Sequence, residues 1–186
     1  MEQRFCSLCG SQVSYIVPAG DQRLRAVCSA CGQIHYQNPQ VVVGAVAFWQ
    51  DRLLLCRRAI PPRVGYWTFP AGYLELEETT EEGACREAFE EAGAELEIEA
   101  LLAVYNLSHI SQVQIIYLAQ LRHPHIYAGE ESLEVGLFDW SEIPWDALAF
   151  PTNHRALQHA RAMCQHKHLP PERRSRDLKM DADLLY

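Results

Sequence analysis

Within residues 72–94, Glu87, Glu90 and Glu91 stand at i, i+3 and i+4, and five more glutamates surround them: Glu75, Glu77, Glu78, Glu81 and Glu82. Arg86 is the only cation in that stretch. On one helix, carboxylates at this spacing lie on a shared side and repel by a few tenths of a kcal/mol per pair. A solvated acidic face is the ordinary fate of a charge run, but such a face normally carries interleaved lysines, and none is present here. Hard divalent cations relieve the repulsion, because Mg2+ favours carboxylate oxygens and keeps waters for a phosphate substrate. Such ions bridge a diphosphate, polarise phosphorus and lower the pKa of an attacking water.

A second constellation lies near the N-terminus. Cys6 and Cys9 form one CxxC pair, and Cys28 and Cys31 form another. A two-residue gap lets both thiolates of a turn reach one ion about 2.3 Å away, and two such turns complete a tetrahedron. Gly10 and Gly32 each follow the second cysteine, where a tight knuckle calls for positive φ. Disulfides and small buried thiols are the competing readings. An uneven total of seven cysteines and an N-terminus without an apolar signal core count against disulfides. Four thiolates close a zinc site, which makes it structural rather than catalytic. His35 then reads as a surface or loop residue, and Cys56, Cys85 and Cys164 as core or surface thiols.

The elements that must position these groups can be placed in outline. Thr79-Thr80-Glu81-Glu82 fits a capping box, and Gly93 is a natural stop, which predicts a helix over 80–92. At about 100° per residue, Cys85, Ala88, Phe89 and Ala92 share the sector expected to pack on a sheet. Glu87, Glu90 and Glu91 fall on the other side, with Gly83 leaving room beside them. Residues 41–49 read as a buried strand, 50–52 as a hairpin turn and 53–56 as its partner. Residues 67–69, 101–107, 113–121 and 137–140 are further strand candidates, 122–134 a polar loop, and 151–164 a helix. The chain divides into a small zinc ribbon over 1–37, a mixed domain over 38–164 and a charged, mobile tail over 165–186. The ribbon carries a net charge of only +1 over residues 1–40, which is no basic stripe for nucleic acid.

The chain has 186 residues, 48% of them hydrophobic, and a formal net charge of -8. That composition excludes a disordered chain, and no apolar run approaches the roughly 18–20 residues of a membrane span. A cytoplasmic setting without membrane or export is expected. An acidic total argues at first sight against phosphate-bearing partners. Residues 72–94, however, sum to -7 with eight Glu and one Arg, so the rest of the chain is nearly neutral. The acidity is therefore a local cation site, and bound Mg2+ would make it a phosphate site.

The order Gly72, five residues, Glu78, seven residues, then 86–94 (Arg-Glu-Ala-Phe-Glu-Glu-Ala-Gly-Ala) resembles the Nudix box at every fixed polar and glycine position. Ala88 and Ala94 stand where Ile, Leu or Val is usual, a departure that bears on packing. The resemblance implies an α/β fold, a Nudix α/β/α sandwich around a mixed sheet, behind a small β zinc ribbon. It implies a Mg2+- or Mn2+-dependent hydrolase of the pyrophosphate in a nucleoside diphosphate derivative. By the same resemblance Glu87 and Glu91 are the principal metal ligands, Glu90 a ligand or base, and Ala71 the donor of a backbone carbonyl to a metal. Arg86 and Glu78 orient the ligand helix, with Gly72 in the same catalytic motif. Glu134 matches a further metal-binding or basic glutamate, and Glu130 and Glu131 are neighbours able to replace it.

A zinc ribbon joined to such a domain is similar to the NADH pyrophosphatases, including members that remove NAD caps from RNA. Residues 106–112 do not match the Gln-Pro-Trp-Pro-Phe-Pro motif of that group, and the long N-terminal region of those enzymes is missing. Residues 34–39, 67–75 and 141–144 are closer to the ADP-ribose/FAD pyrophosphatases of chloroplasts and their bacterial relatives. The expected substrate is accordingly FAD or ADP-ribose, giving AMP plus FMN or ribose 5-phosphate, and the expected assembly a homodimer. NAD-type substrates and a non-catalytic nucleotide sensor are the alternatives. Arg57, Arg58 and Arg63 stand where they could meet phosphates, and Tyr66, Trp67, Tyr73 and Tyr105 where they could stack on a base.

Overall fold

The computed structural model describes residues 3–165 and 170–175, the last three by backbone only. Its contacts divide into two compact units, Met1–Pro39 and Gln40–Tyr186. In the first unit, β1 (Val13–Ile16), β2 (Arg25–Cys28) and β3 (Ile34–His35) form an antiparallel ribbon in that order. His35 thus lies in a strand. Gly10 and Gly32 close the two knuckles with φ of 75° and 74°. Their N–H groups donate to the carbonyls of Cys6 and Cys28, at 2.9 and 3.0 Å.

The second unit is built on β4 (Gln40–Trp49), β5 (Arg52–Arg58), β6 (Trp67–Thr68), β7 (Ala71–Tyr73), β8 (Leu96–Leu107), β9 (Gln112–Leu121), β10 (Ser132–Phe138) and β11 (Glu172–Ser175). They make one mixed sheet in the order β10-β5-β4-β9-β8-β11, parallel at β4–β9 and at β8–β11. Side chains alternate across a strand, and the sequence uses both faces. Val46 and Phe48 of β4 with Leu53 and Leu55 of β5 enter one core, shared with Ala156, Leu157 and Ala160 of helix α2 (Pro151–Gln165). Val43, Ala45 and Ala47 with Leu54 and Cys56 enter the other, shared with Ala84, Ala88 and Ala92 of helix α1 (Thr80–Ala92). The two helices therefore cover opposite faces, an α/β/α arrangement.

The sheet is forked. β4 and β5 pair only beside their turn, at Phe48↔Leu53 and Trp49↔Arg52. Beyond that point β5 pairs with β6 (Cys56↔Thr68), and β4 pairs with β7 (Val43↔Gly72). Residues 67–73 fill the opening between them. Gly44 permits this, since a Cβ there would collide with Ala71 and with the Pro70 carbonyl oxygen.

α1 begins and ends where its sequence says. Thr79 Oγ1 accepts from Glu82 N at 3.2 Å, Glu82 Oε2 accepts from Thr79 N at 2.8 Å, and Gly93 ends the helix at φ 60°. Its inward face differs from the expected sector by roughly a quarter turn. Gly83, Ala84, Glu87, Ala88, Glu91 and Ala92 are buried, whereas Phe89 is 50% exposed. The reason is local: the alanine row fits a sheet face that is itself small, and the parallel 83–87–91 row meets the polar opening of the fork. Gly83 gives no spare room, because Val43, Leu74 and Glu78 crowd it.

Two other expectations change. Residues 132–134, assigned to a polar loop, begin β10, because β5 offers them a partner edge. Of the expected mobile tail, 172–175 pair in parallel with 103–106 of β8, while 166–169 and 176–186 lie outside the described residues. Among the described residues no helix is long and apolar enough to cross a membrane.

Candidate active site

Arg86 organises the carboxylates. Its Nε and Nη2 donate to the two oxygens of Glu78 at 3.0 and 2.8 Å, and Nη2 also donates to the Tyr73 carbonyl at 3.0 Å. Nη1 donates to Glu87 Oε1 at 2.8 Å and to Glu90 Oε2 at 2.9 Å. The planar fork of a guanidinium suits such bidentate pairing. Arg86 holds the Glu78 carboxyl down at about 2, helped by the Glu75 N–H. Gly72 of β7 passes directly over Glu87, and a Cβ at Gly72 would strike that carboxylate.

Glu87 and Glu91 are buried at the base of a cavity of about 860 Å³. Burial pushes Glu91 up to about 8; Glu87 adds to the rise, while Arg58 and the Ala71 backbone oppose it. Burial also raises Glu87, against the pull of Arg86. Ala71, Gly72, Tyr73, Arg86, Glu90, Glu130, Glu131 and Arg58 line the same cavity. Arg58 Nε donates to the Pro62 carbonyl at 2.8 Å, and the guanidinium lies over the Phe150 ring at 5.4 Å. Its own burial lowers its pKa, while Glu91 and Glu131 counteract that shift.

Several expected site residues fall elsewhere. Glu134 is exposed on β10 and pairs with Arg57 at 3.6 Å, so neither lines the cavity. The β-bulge between Ser132 and Glu134 turns that strand, and the acidic residues that reach the cavity are instead Glu130 and Glu131. Arg57 Nε donates to the Gly65 carbonyl at 3.0 Å. Tyr105 is fully buried with its hydroxyl donating to Glu172, and Trp67 packs edge-on against Phe138, so neither ring is free to stack. Tyr66 and Arg63 stack on each other outside the main cavity, at 5.0 Å. Thr68, Asn153, Gln112 and Gln114, absent from the sequence reading, complete the walls, with Asn153 Nδ2 donating to Thr68 Oγ1 at 3.1 Å. The proline-opened helix start at Pro151 was the available signal for Asn153. Nothing local marked the two glutamines.

The metal sites can be tested by their donors. In the ribbon, Cys6 and Cys31 Sγ are 3.7 Å apart, Cys9 and Cys28 Sγ 3.5 Å, and all four lie within 4.8 Å of one another. A tetrahedron with bonds of about 2.3 Å has edges of about 3.8 Å, so the cluster fits zinc. Hydrogen bonds from Ser11 bring Cys9 down to about 6. Against a Gln33 backbone bond that lowers it, Cys28 and Cys9 push Cys31 up to about 12. Cys9 and Cys31 thus resist ionising together without a cation. At the cavity base the side-chain donors are hard carboxylate oxygens, which suit Mg2+ or Mn2+. Glu87 and Glu90 are turned to one Arg86 nitrogen, and among the described residues only the cysteines form a gathered ligand cluster.

Comparison with known proteins agrees with this architecture. The family model described as NUDIX domain matches residues 38–162. The chain belongs to the Nudix family. The zinc-ribbon model described as Nudix N-terminal matches residues 4–37, so this Nudix hydrolase carries the ribbon at its N-terminus. A NUDIX hydrolase structure from Nitrosomonas europaea is 46% identical, with a TM-score of 0.85 over 92% of this chain and 97% of that one. The ADP-ribose pyrophosphatase of Methanocaldococcus jannaschii is 29% identical over 115 residues, 59% of this chain and 67% of that protein. The NAD-capped RNA hydrolase NudC of Chromobacterium violaceum is 27% identical over 158 residues, 84% of this chain but only 58% of that protein.

Proposed function

We propose that this Nudix hydrolase cleaves the pyrophosphate bond of ADP-ribose or FAD, giving AMP with ribose 5-phosphate or FMN. The observation that carries the reading is the pair of buried carboxylates, Glu87 and Glu91, at the base of a cavity walled by Ala71, Gly72, Arg58 and Glu131. Glu91 has its pKa raised to about 8 with no cation paired to it among the described residues, as expected of a group awaiting a metal. Glu87, Glu91 and the Ala71 carbonyl would hold Mg2+ or Mn2+, with Glu90 released from Arg86 as a further ligand or base. A bound divalent ion supplies charge stabilisation for the diphosphate and an acidified water. Arg86, tied to Glu78 and to the Tyr73 carbonyl, orients the helix that presents these groups. The proton-accepting role that the resemblance gives to Glu134 is assigned here to Glu131, which lines the cavity and acts electrostatically on Glu87 and Glu91. Arg58 steadies a phosphate at the cavity wall, and Tyr73 offers a ring to the nucleoside. Zinc in the ribbon is structural.

Hydrolysis of NADH, or removal of an NAD cap, is the second reading, supported by the match to the NudC hydrolase. One panel separates the two: FAD, ADP-ribose and NADH, each with Mg2+, followed by product analysis for AMP with FMN, ribose 5-phosphate or NMNH. Turnover of the first two, lost in Glu91→Gln and Glu90→Gln, is expected. Unchanged turnover in both variants would overturn the mechanism, and no turnover by the parent would favour a nucleotide sensor.

A further inference from the structure

Away from the carboxylates the cavity has a different character. Gln112, Gln114 and Ile116 alternate on β9 and therefore face the same side of the sheet, the side that carries the α2 core. Gln112 and Gln114 both line the cavity, among Val42, Leu107 and Ile110. The two amides are joined, with Gln114 Nε2 donating to Gln112 Oε1 at 3.0 Å. That bond uses one donor and one acceptor lone pair. Among the described residues no hydrogen bond takes the remaining N–H groups of either residue or the Gln114 carbonyl oxygen. Register places Val42 opposite Gln114 and Tyr73 opposite Val42, so the exposed Tyr73 ring and the Gln114 amide occupy one cross-strand row, with Gln112 in the next, opposite Gln40.

The spacing suits a nucleoside. Ala71 lies opposite Gly44, and Gly44 opposite Ile116. Two strand spacings of about 4.8 Å and one two-residue step of about 6.8 Å separate Ala71 from Gln114, about 12 Å in all. About a nucleoside's length therefore lies between a diphosphate held at the carboxylates and the apolar slot that ends in the paired amides. An amide presents a donor beside an acceptor, which matches the adenine edge, where an amino group adjoins a ring nitrogen.

We propose that the Gln112–Gln114 pair reads the hydrogen-bonding edge of the substrate's adenine, with Val42, Ile110 and Tyr73 covering its faces. The inference rests on the hydrolase reading above and adds to it the residues that select the base. A sugar at this end would leave the apolar walls unmatched, and a base without that edge would leave the amides unpaired.

The test compares ADP-ribose with its etheno derivative, in which a two-carbon bridge blocks the adenine edge but keeps the ring area. With Mg2+, the parent should show a KM for the etheno compound raised about tenfold, within the discrimination of one bidentate amide contact. Gln114→Leu and Gln112→Leu should bring the two KM values together, with kcat changed less than twofold. Thermal melting checks the fold, and Gln114→Glu, which removes the donors at constant shape, serves if a leucine variant does not fold. Equal KM values in the parent, or discrimination retained in the variants, overturn the proposal. If the parent cleaves neither compound, the hydrolase reading fails separately, and binding of the same two ligands then decides. Tighter binding of ADP-ribose that is lost in Gln114→Leu supports base reading; equal affinities, or no binding of either, overturn it.

Discussion

Replacing Arg86 by Gln removes the one cation shared by Glu78, Glu87 and Glu90. Five hydrogen bonds disappear, four of them to carboxylates. Breaking a fully buried ion pair costs about 3–5 kcal/mol. The side chains here keep part of their water, with 28% exposure at Arg86, 15% at Glu78 and 57% at Glu90. Solvent screening discounts the Glu90 contact heavily, so about 2–3 kcal/mol is expected for the metal-free protein. In a chain of this length that lowers Tm by about 5–10 °C. Arg86→Lys keeps the charge but cannot serve Glu78 with two nitrogens while reaching Glu87 and Tyr73, and should recover less than half. The sign with pH follows from Glu78, whose carboxyl is held at about 2 against an ordinary 4.5. Its contribution is present above about pH 4.5 and is lost as pH falls toward 2, so parent and variant should converge on acidification. The assay is thermal melting with chelator at pH 7 and at pH 3. A Tm drop under 2 °C at pH 7, full rescue by Lys, or a gap that widens in acid would refute the reasoning.

Burial, with Glu87 and Glu131 adding to it, holds the Glu91 carboxyl up at about 8, so a divalent cation must displace a proton. Mg2+ or Mn2+ affinity should therefore rise as pH climbs toward 8, with proton release seen calorimetrically in buffers of different ionisation enthalpy; Glu91→Gln should abolish that release. In the metal-free protein the same raised pKa gives the opposite trend, stability falling as pH rises from about 4.5 to 8. Metal analysis should find about one zinc per chain, and Cys28→Ser should release it and unfold the ribbon, seen as lost amide protection in residues 4–37. Gly93→Ala should lower stability by at least about 1 kcal/mol in a denaturant titration, because φ is 60° and the new methyl meets the Tyr127 ring.

The parts of this molecule legible from sequence are those whose contacts are local. The capping box, Gly93 and the CxxC knuckles specify their own geometry within a few residues, and each is found in place. The acidic helix was legible for the same reason, but its facing was not. Helical periodicity separates alanines from glutamates without telling which row meets the sheet and which meets a cleft, and Phe89 was misassigned on that account. The resemblance singles out Glu134, with Glu130 and Glu131 as possible replacements, and Arg57 stands out by its place before the box; the bulge in β10 pairs Glu134 with Arg57 on the exposed side and leaves Glu130 and Glu131 to line the cavity. Gln112 and Gln114 carry no local signal. Their place depends on a parallel pairing with β4 that only the assembled sheet supplies.

The fork between β4 and β5 gives the two ends of the cavity different contact ranges along the chain. The base of the cavity comes from residues 71–91, nearly contiguous in the chain and anchored by a helix that caps itself. The opposite wall arrives only when Gln112 finds Gln40 and the long parallel β4–β9 ladder closes. Pairings between strands so distant in sequence have high contact order and form slowly. The glutamate cluster is thus carried by one short stretch of chain, whereas the far wall of the pocket depends on strands distant in sequence.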